Sequence, residues 1–291
     1  MRAALRRWRI ALAVLPAFLA AGCSGAELLN AAAPRAGIQV TSGIAYGEGP
    51  RRTLDIYAPR DAADAPVAVF FYGGGWESGT KEEYRFAASA LAERGIVVVV
   101  PDYRLYPQVR FPAFLQDAAQ AVRWTRDHAG AYGGDPSRLV LAGHSAGAYI
   151  AAMLALDRRW LSAAGVPASA IAGTVGLAGP YDFLPLREPN LKAIFGRGEA
   201  LARTQPIHFV DGRAAPMLLA AGKADLRVDP GDSVRLAERI RAKGGAAELI
   251  LYPGIDHKLI VGALARPLTG LAPVLDDVTG FIKARHAGAQ R

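Results

Sequence analysis

Ser145 stands between Gly143 and Gly147 in VLAGHSAGAY, the stretch Val140–Tyr149. A serine in the pattern G-x-S-x-G can be a nucleophile, or simply an N-cap where a strand meets a helix. Leu139–Ala142 is apolar enough for a buried strand, and Ala146–Leu156 has the composition of a helix; that is the strand–turn–helix setting a nucleophile needs. The tight turn brings backbones together, so both flanking positions must be small. A capping role explains the serine but not both glycines. The free amides at the start of a helix beginning at Ala146 would face Ser145 and suit a developing oxyanion.

A serine hydroxyl needs a base, and the chain offers five histidines. His144 adjoins the serine, and the turn directs its side chain elsewhere. His128 falls on a helix before the turn, His286 in the C-terminal tail and His208 in an irregular stretch. His257, in YPGIDHKL, follows a strand and lies on a loop level with Ser145. A carboxylate must hold the imidazole in its tautomer. Asp225, in LLAAGKADLRVD, also follows a strand and completes the chain order Ser…Asp…His. Asp229 reads as the cap of a helix opening at Pro230, and Asp256 is too near His257 in sequence to reach around to its ring. In VFFYGGGWESG, the glycines between Tyr72 and Trp76 follow another strand. They form either a flexible turn or a loop whose bare N–H groups approach a ligand closely.

The elements that must carry these residues alternate. Strands are predicted at Ile38–Tyr46, Thr53–Tyr57, Val67–Tyr72, Ile96–Val100, Leu139–Ala142, Ala172–Leu177, Met217–Ala221 and Glu248–Tyr252. Helices are predicted at Lys81–Glu93, Ala113–His128, Ala146–Leu156, Pro230–Ala242 and Val274–Arg285. Apolar strands followed by helices make an α/β fold: a mostly parallel sheet of about eight strands with helices on both faces. The first two strands form an antiparallel edge, and the site lies at the carboxyl ends of the parallel ones. The Pro- and Arg-rich stretch 178–215 is expected to be a small lid or pocket wall.

The chain has 291 residues, 52% of them hydrophobic, which suits one large domain. Its net charge of +8 would invite a nucleic-acid reading, but Arg2, Arg6, Arg7 and Arg9 supply half of it. No basic stripe with interleaved aromatics remains, so nucleic-acid binding is not expected. After Arg9 comes an apolar run of about twelve residues, too short to span a bilayer comfortably and suited to a secretory signal. The only cysteine, Cys23, follows in LAAGC. This resembles the bacterial lipobox, with Ala20 where leucine is usual. The resemblance implies cleavage before Cys23 and a diacylglycerol on its sulfur; the alternative is a plain secreted protein with an incidental cysteine. The expected layout is a signal over 1–22, a lipid-anchored tether over 23–37, a catalytic domain over 38–286 and a tail over 287–291. The expected location is the cell envelope of a bacterium, with the protein exported and held at a membrane. No internal disulfide is possible.

Together, YGGGW, PDYRLYPQVRFPAFLQDA and GGDPSRLVLAGHSAGA resemble the motifs of the α/β-hydrolase superfamily. The similarity is to its esterase and lipase branch, with hormone-sensitive-lipase-like and feruloyl-esterase-like carboxylesterases, and covers roughly Thr53 to Lys283. The second stretch is also similar to that of isoprenylcysteine methylesterases. The resemblance implies a serine carboxylesterase for small or medium esters, with little or no cap domain, an open pocket and no metal or organic cofactor. It implies Ser145 as nucleophile, Asp225 as acid and His257 as base. It also implies an oxyanion hole from Gly74, Gly75 and the Ala146 amide, with Asp102 and Arg104 as supports. Tyr72 replaces the usual histidine of the glycine loop, so the bracing of that loop must differ. Tyr106 and Gln108 replace the usual Ala and Glu. Tyr72, Trp76, Tyr181, Phe183 and Phe195 are candidate walls of the substrate pocket or parts of the core. An amidase or formamidase could use the same triad, and a non-catalytic binding module could use the same scaffold.

Overall fold

The computed structural model describes residues 25–287; the predicted signal and Cys23 lie outside the described residues. The strands are β1 (Ile38–Ala45), β2 (Thr53–Pro59), β3 (Ala65–Phe71), β4 (Val97–Pro101), β5 (Gly134–His144), β6 (Ile171–Leu177), β7 (Met217–Gly222) and β8 (Ala247–Tyr252). They form one sheet in the order β1-β2-β4-β3-β5-β6-β7-β8. The β1–β2 and β2–β4 pairs are antiparallel and the rest parallel. Every residue of β4 is buried, as expected for a strand covered on both faces.

The covering helices fall into two groups. α2 (Arg85–Glu93) packs on α9 (Val274–Ala287), while α3 (Ala113–His128) packs on both α4 (Ala146–Leu156) and α5 (Arg159–Ala163). α4 is apolar on every side and almost wholly buried, the composition of a helix enclosed by its surroundings. α7 (Pro230–Ala242) packs on β7 and β8, with Asp229 accepting from the Gly231 amide at its N-terminus. The register places the functional edge. His144 at the end of β5 is level with Leu177 of β6, and Leu177 with Ala220 of β7, while Gly222 of β7 is level with Tyr252 of β8. The loops carrying Ser145, Asp225 and His257 therefore leave one edge of the sheet.

One expectation is corrected. The tether of 23–37 is not plain linker where it is described: Gly25–Ala31 is a helix, α1, packed on α2. Asn30 fixes it. Its Nδ2 donates to Glu82 O at 2.8 Å, and its Oδ1 accepts from Phe86 N at 2.8 Å, capping the start of α2 from a distant part of the chain. The irregular stretch 178–215 does contain a short helix, α6 (Pro189–Phe195), with Pro189 at its first turn.

Candidate active site

Ser145 sits between β5 and α4 at φ 55° and ψ −122°, a strained conformation for a residue with a side chain. The close packing around it sustains that strain. A Cβ on Gly147 would lie 2.0 Å from Phe71 O, so α4 can start this near β3 only with glycine there. The Ser145 amide donates to Leu177 O at 2.9 Å, tying the turn to β6.

His257 lies on the loop after β8. Its Nε2 is 2.9 Å from Ser145 Oγ, and its Nδ1 is 2.7 Å from Asp225 Oδ2. A carboxylate can only accept, so Nδ1 carries the proton and Nε2 is left free to take one from the serine. The other oxygen of Asp225 accepts from the amides of Arg227 at 2.8 Å and Val228 at 2.9 Å. The loops after β7 and β8 are joined through Ala224 N to Ile255 O at 3.0 Å. The side chains of Ser145, Asp225 and His257 are all buried. Asp229 is taken up as the α7 cap and by Arg235, and Asp256 accepts from Lys258 N and Leu259 N at the start of α8 (Leu259–Gly262).

The glycine loop runs beside the serine. Gly74 has φ 132°, and a Cβ there would meet Ser78 O at 2.1 Å. The Gly74 and Gly75 amides have no hydrogen-bond acceptor among the described residues, whereas Gly73 N donates to Tyr84 Oη at 3.0 Å. Tyr84 is a brace that pattern reading missed. Its Oη is 2.8 Å from His144 Nδ1, and His144 Nε2 is 2.8 Å from the carbonyl of His257. Burial, helped by the neighbouring His257, pushes the His144 pKa down to about 3. His144 is thus neutral, with Nε2–H donating to the carbonyl, so Tyr84 donates to Nδ1. A continuous chain of hydrogen bonds joins the glycine loop to the backbone of His257. No residue pattern announces a link across such a sequence distance.

The candidate walls divide. Trp76 and Phe183 line a cavity of about 830 Å³ beside Ser145 and Ala146. Tyr72 does not: it is fully buried, stacked on Tyr103 at 4.6 Å, with its Oη accepting from Arg51 Nη2 at 2.6 Å. Tyr181 is also corrected to core, fully buried in the cluster that holds Ala148, Leu219 and Leu236. Phe195 stands behind the wall, its ring edge-on to Trp76 at 4.8 Å. Asp102 accepts from Lys81 N at 3.1 Å, and Arg104 is paired with Asp117 of α3 at 2.8 Å. A second cavity, of about 680 Å³, also reaches Ser145 and is lined by α1. Among the described residues, no group of three or more His, Cys, Asp or Glu is placed to hold a metal ion.

This geometry can be set beside known proteins. Isoprenylcysteine alpha-carbonyl methylesterase ICME of Arabidopsis thaliana is 33% identical over 270 residues, 84% of this chain and 62% of its own. Esterase LipQ of Mycobacterium tuberculosis (strain ATCC 25618 / H37Rv) is 29% identical over 275 residues, 86% of this chain and 64% of its own. The chain spans about three fifths of the length of such curated relatives. The solved structure of esterase B from Lactobacillus Rhamnosis (HN001) superposes with a TM-score of 0.78 at 20% identity, covering 91% of each chain; the fold is that of the α/β-hydrolases. The family model BD-FAE matches residues 54–240, from β2 through α7 and including Ser145 and Asp225, and the chain belongs to that family.

Proposed function

We propose that this protein is a serine carboxylesterase. The observation that carries the reading is the pair of hydrogen bonds, 2.7 Å and 2.9 Å, linking Asp225 through His257 to Ser145 beside amides with no acceptor of their own. Ser145 Oγ attacks the ester carbonyl as its proton passes to His257 Nε2. The oxyanion takes hydrogen bonds from Gly74, Gly75 and Ala146. His257 returns the proton to the leaving oxygen, and the alcohol departs. Water then attacks the acyl-enzyme, with His257 again taking and returning a proton, and the acid is released. Asp225 holds the tautomer and stabilises the imidazolium. Relatives named methylesterase and esterase support ester chemistry, while a shorter match to a kynurenine formamidase of Salmo salar, 33% identical over 149 residues, favours the amide alternative for the same triad.

The basic and apolar N-terminal run ending in LAAGC supports export and a lipid anchor on Cys23. Turnover of p-nitrophenyl acetate tests the central reading. Ser145→Ala should abolish it without changing the melting curve; substantial residual turnover would remove Ser145 from the chemistry.

A further inference from the structure

Two cavities meet at Ser145, and the route of the proton distinguishes them. The proton that His257 Nε2 takes from Oγ is handed to the leaving oxygen as the carbonyl–oxygen bond breaks. The alcohol must therefore leave on the imidazole's side of the carbonyl, and the acyl group must extend away from it. His257 lines the cavity of about 680 Å³ beneath α1, whereas the cavity of about 830 Å³ is reached past Ala146 and Trp76. Both volumes suit a small organic group.

Their walls differ in chemistry. The cavity on the histidine's side is closed by Leu28 and Leu29 of α1, Phe86 of α2, Leu259 and Val261 of α8, and Leu268. Glu83 and Lys258 also line it, and Arg227 borders both cavities; the other carries the denser charge, with Glu77, Arg187, Glu188 and Arg235 around Trp76 and Phe183. α1 is a fixed roof, pinned by both polar atoms of the Asn30 side chain. A Cβ on Gly262 of α8 would lie 4.0 Å from Leu29 Cδ1, so α1 and α8 close on each other around the space. Leu28 is 47% exposed, an apolar side chain whose place at this mouth accounts for its lying at the surface.

Resting on the serine-esterase reading, we infer that the cavity under α1 is the site of the leaving alcohol, and that the preferred ester has an apolar alkyl alcohol. The acyl group lies in the more polar cavity against Trp76 and Phe183.

Isomeric esters test this with the full-length protein, because they share overall hydrophobicity and differ only in which side carries the chain. Hexyl acetate should exceed ethyl hexanoate in kcat/KM by about tenfold or more. Across the alkyl acetates, kcat/KM should rise from methyl to hexyl. Leu28→Asp, a change at a partly exposed position, should collapse the ratio of hexyl to methyl acetate turnover toward one, and Leu29→Trp, which fills the roof, should do the same. Equal rates for the isomers, or preference for ethyl hexanoate, would overturn the assignment and leave the esterase reading standing. A ratio unmoved by both leucine variants would also overturn it. Failure to hydrolyse any of these esters would overturn the esterase reading and this inference together.

Discussion

Tyr84 and His144 hold the residue-scale logic of the site, because together they set the glycine loop at a fixed distance from the His257 backbone. Tyr84→Phe removes the acceptor for Gly73 N–H and the donor to His144. It should lower kcat about ten- to a hundredfold with little change in KM, since small misplacements of catalytic groups are expensive; an equal loss in KM alone would make Tyr84 a mere wall. The carboxylates should separate sharply. Asp225→Asn should cut kcat by about 10⁴ through loss of the tautomer, while Asp229→Asn should cost little because Asn also caps helices. His144 further links the site to stability. Its pKa falls from an ordinary 6.5 to about 3, so between those values the unfolded chain binds a proton that the folded chain does not. Stability must then fall as pH drops through that window. His144→Asn should remove this part of the dependence, and urea midpoints at pH 7 and pH 5 should draw closer together than in the wild type. An unchanged gap would mean that His144 titrates normally in the fold.

Among the elements, α1 is the one whose removal should be felt in two places. Asn30→Ala deletes the cap on Phe86 N and the bond to Glu82 O. A lost cap costs about 1 kcal/mol, so the melting temperature should fall by roughly 2–4 °C, and the alkyl-chain dependence should weaken as the roof loosens. A normal melting curve with normal chain dependence would mean that α1 is held by something else. This helix was not legible in the sequence. It spans 7 residues, too few for a periodic stripe to declare itself, and its order comes from Asn30 and α2 rather than from propensity. The same holds for α6 and α8. Longer elements were legible: Ala113–His128 and Pro230–Ala242 show a helical period, Ala146–Leu156 shows itself by its unbroken apolar composition after the glycine turn, and all three run as read. β5 begins earlier than its apolar run because Gly134 already pairs with Ala65 of β3. At the site, Ser145, Asp225 and His257 could be brought together from chain order and sheet edge alone. The aromatic walls could not. Residue type does not say on which side of its backbone Tyr72 or Tyr181 packs, and both turned into the core. Tyr84 and His144 stayed hidden for a similar reason, since their link depends on side-chain direction.

At the scale of the whole molecule, the apolar cavity and the proposed anchor lie at the same end of the chain. Gly25, the first residue of α1, itself lines that cavity, and only Ser24 separates it from Cys23, a reach of at most about 7 Å. A lipid on Cys23 would therefore hold the mouth of the alcohol site against the membrane surface, where esters of apolar alcohols collect. No helix among the described residues is long and apolar enough to cross a bilayer. At about 0.8 kcal/mol per buried methylene, two or more acyl chains hold a protein far more firmly than surface charge does, and the charge attraction is screened by salt. Washing membranes with high salt should leave the enzyme bound, and detergent should release it. Cys23→Ser should yield an uncleaved precursor or a soluble species, with turnover of methyl acetate per folded molecule retained. Its turnover of hexyl esters presented in vesicles should fall several-fold, as the cavity mouth is no longer held at their surface. Recovery of the wild-type protein in the soluble fraction, with a free thiol at Cys23 by mass spectrometry, would refute the anchor. Equal rates of the two forms on vesicle-borne esters would separate the anchor from substrate capture.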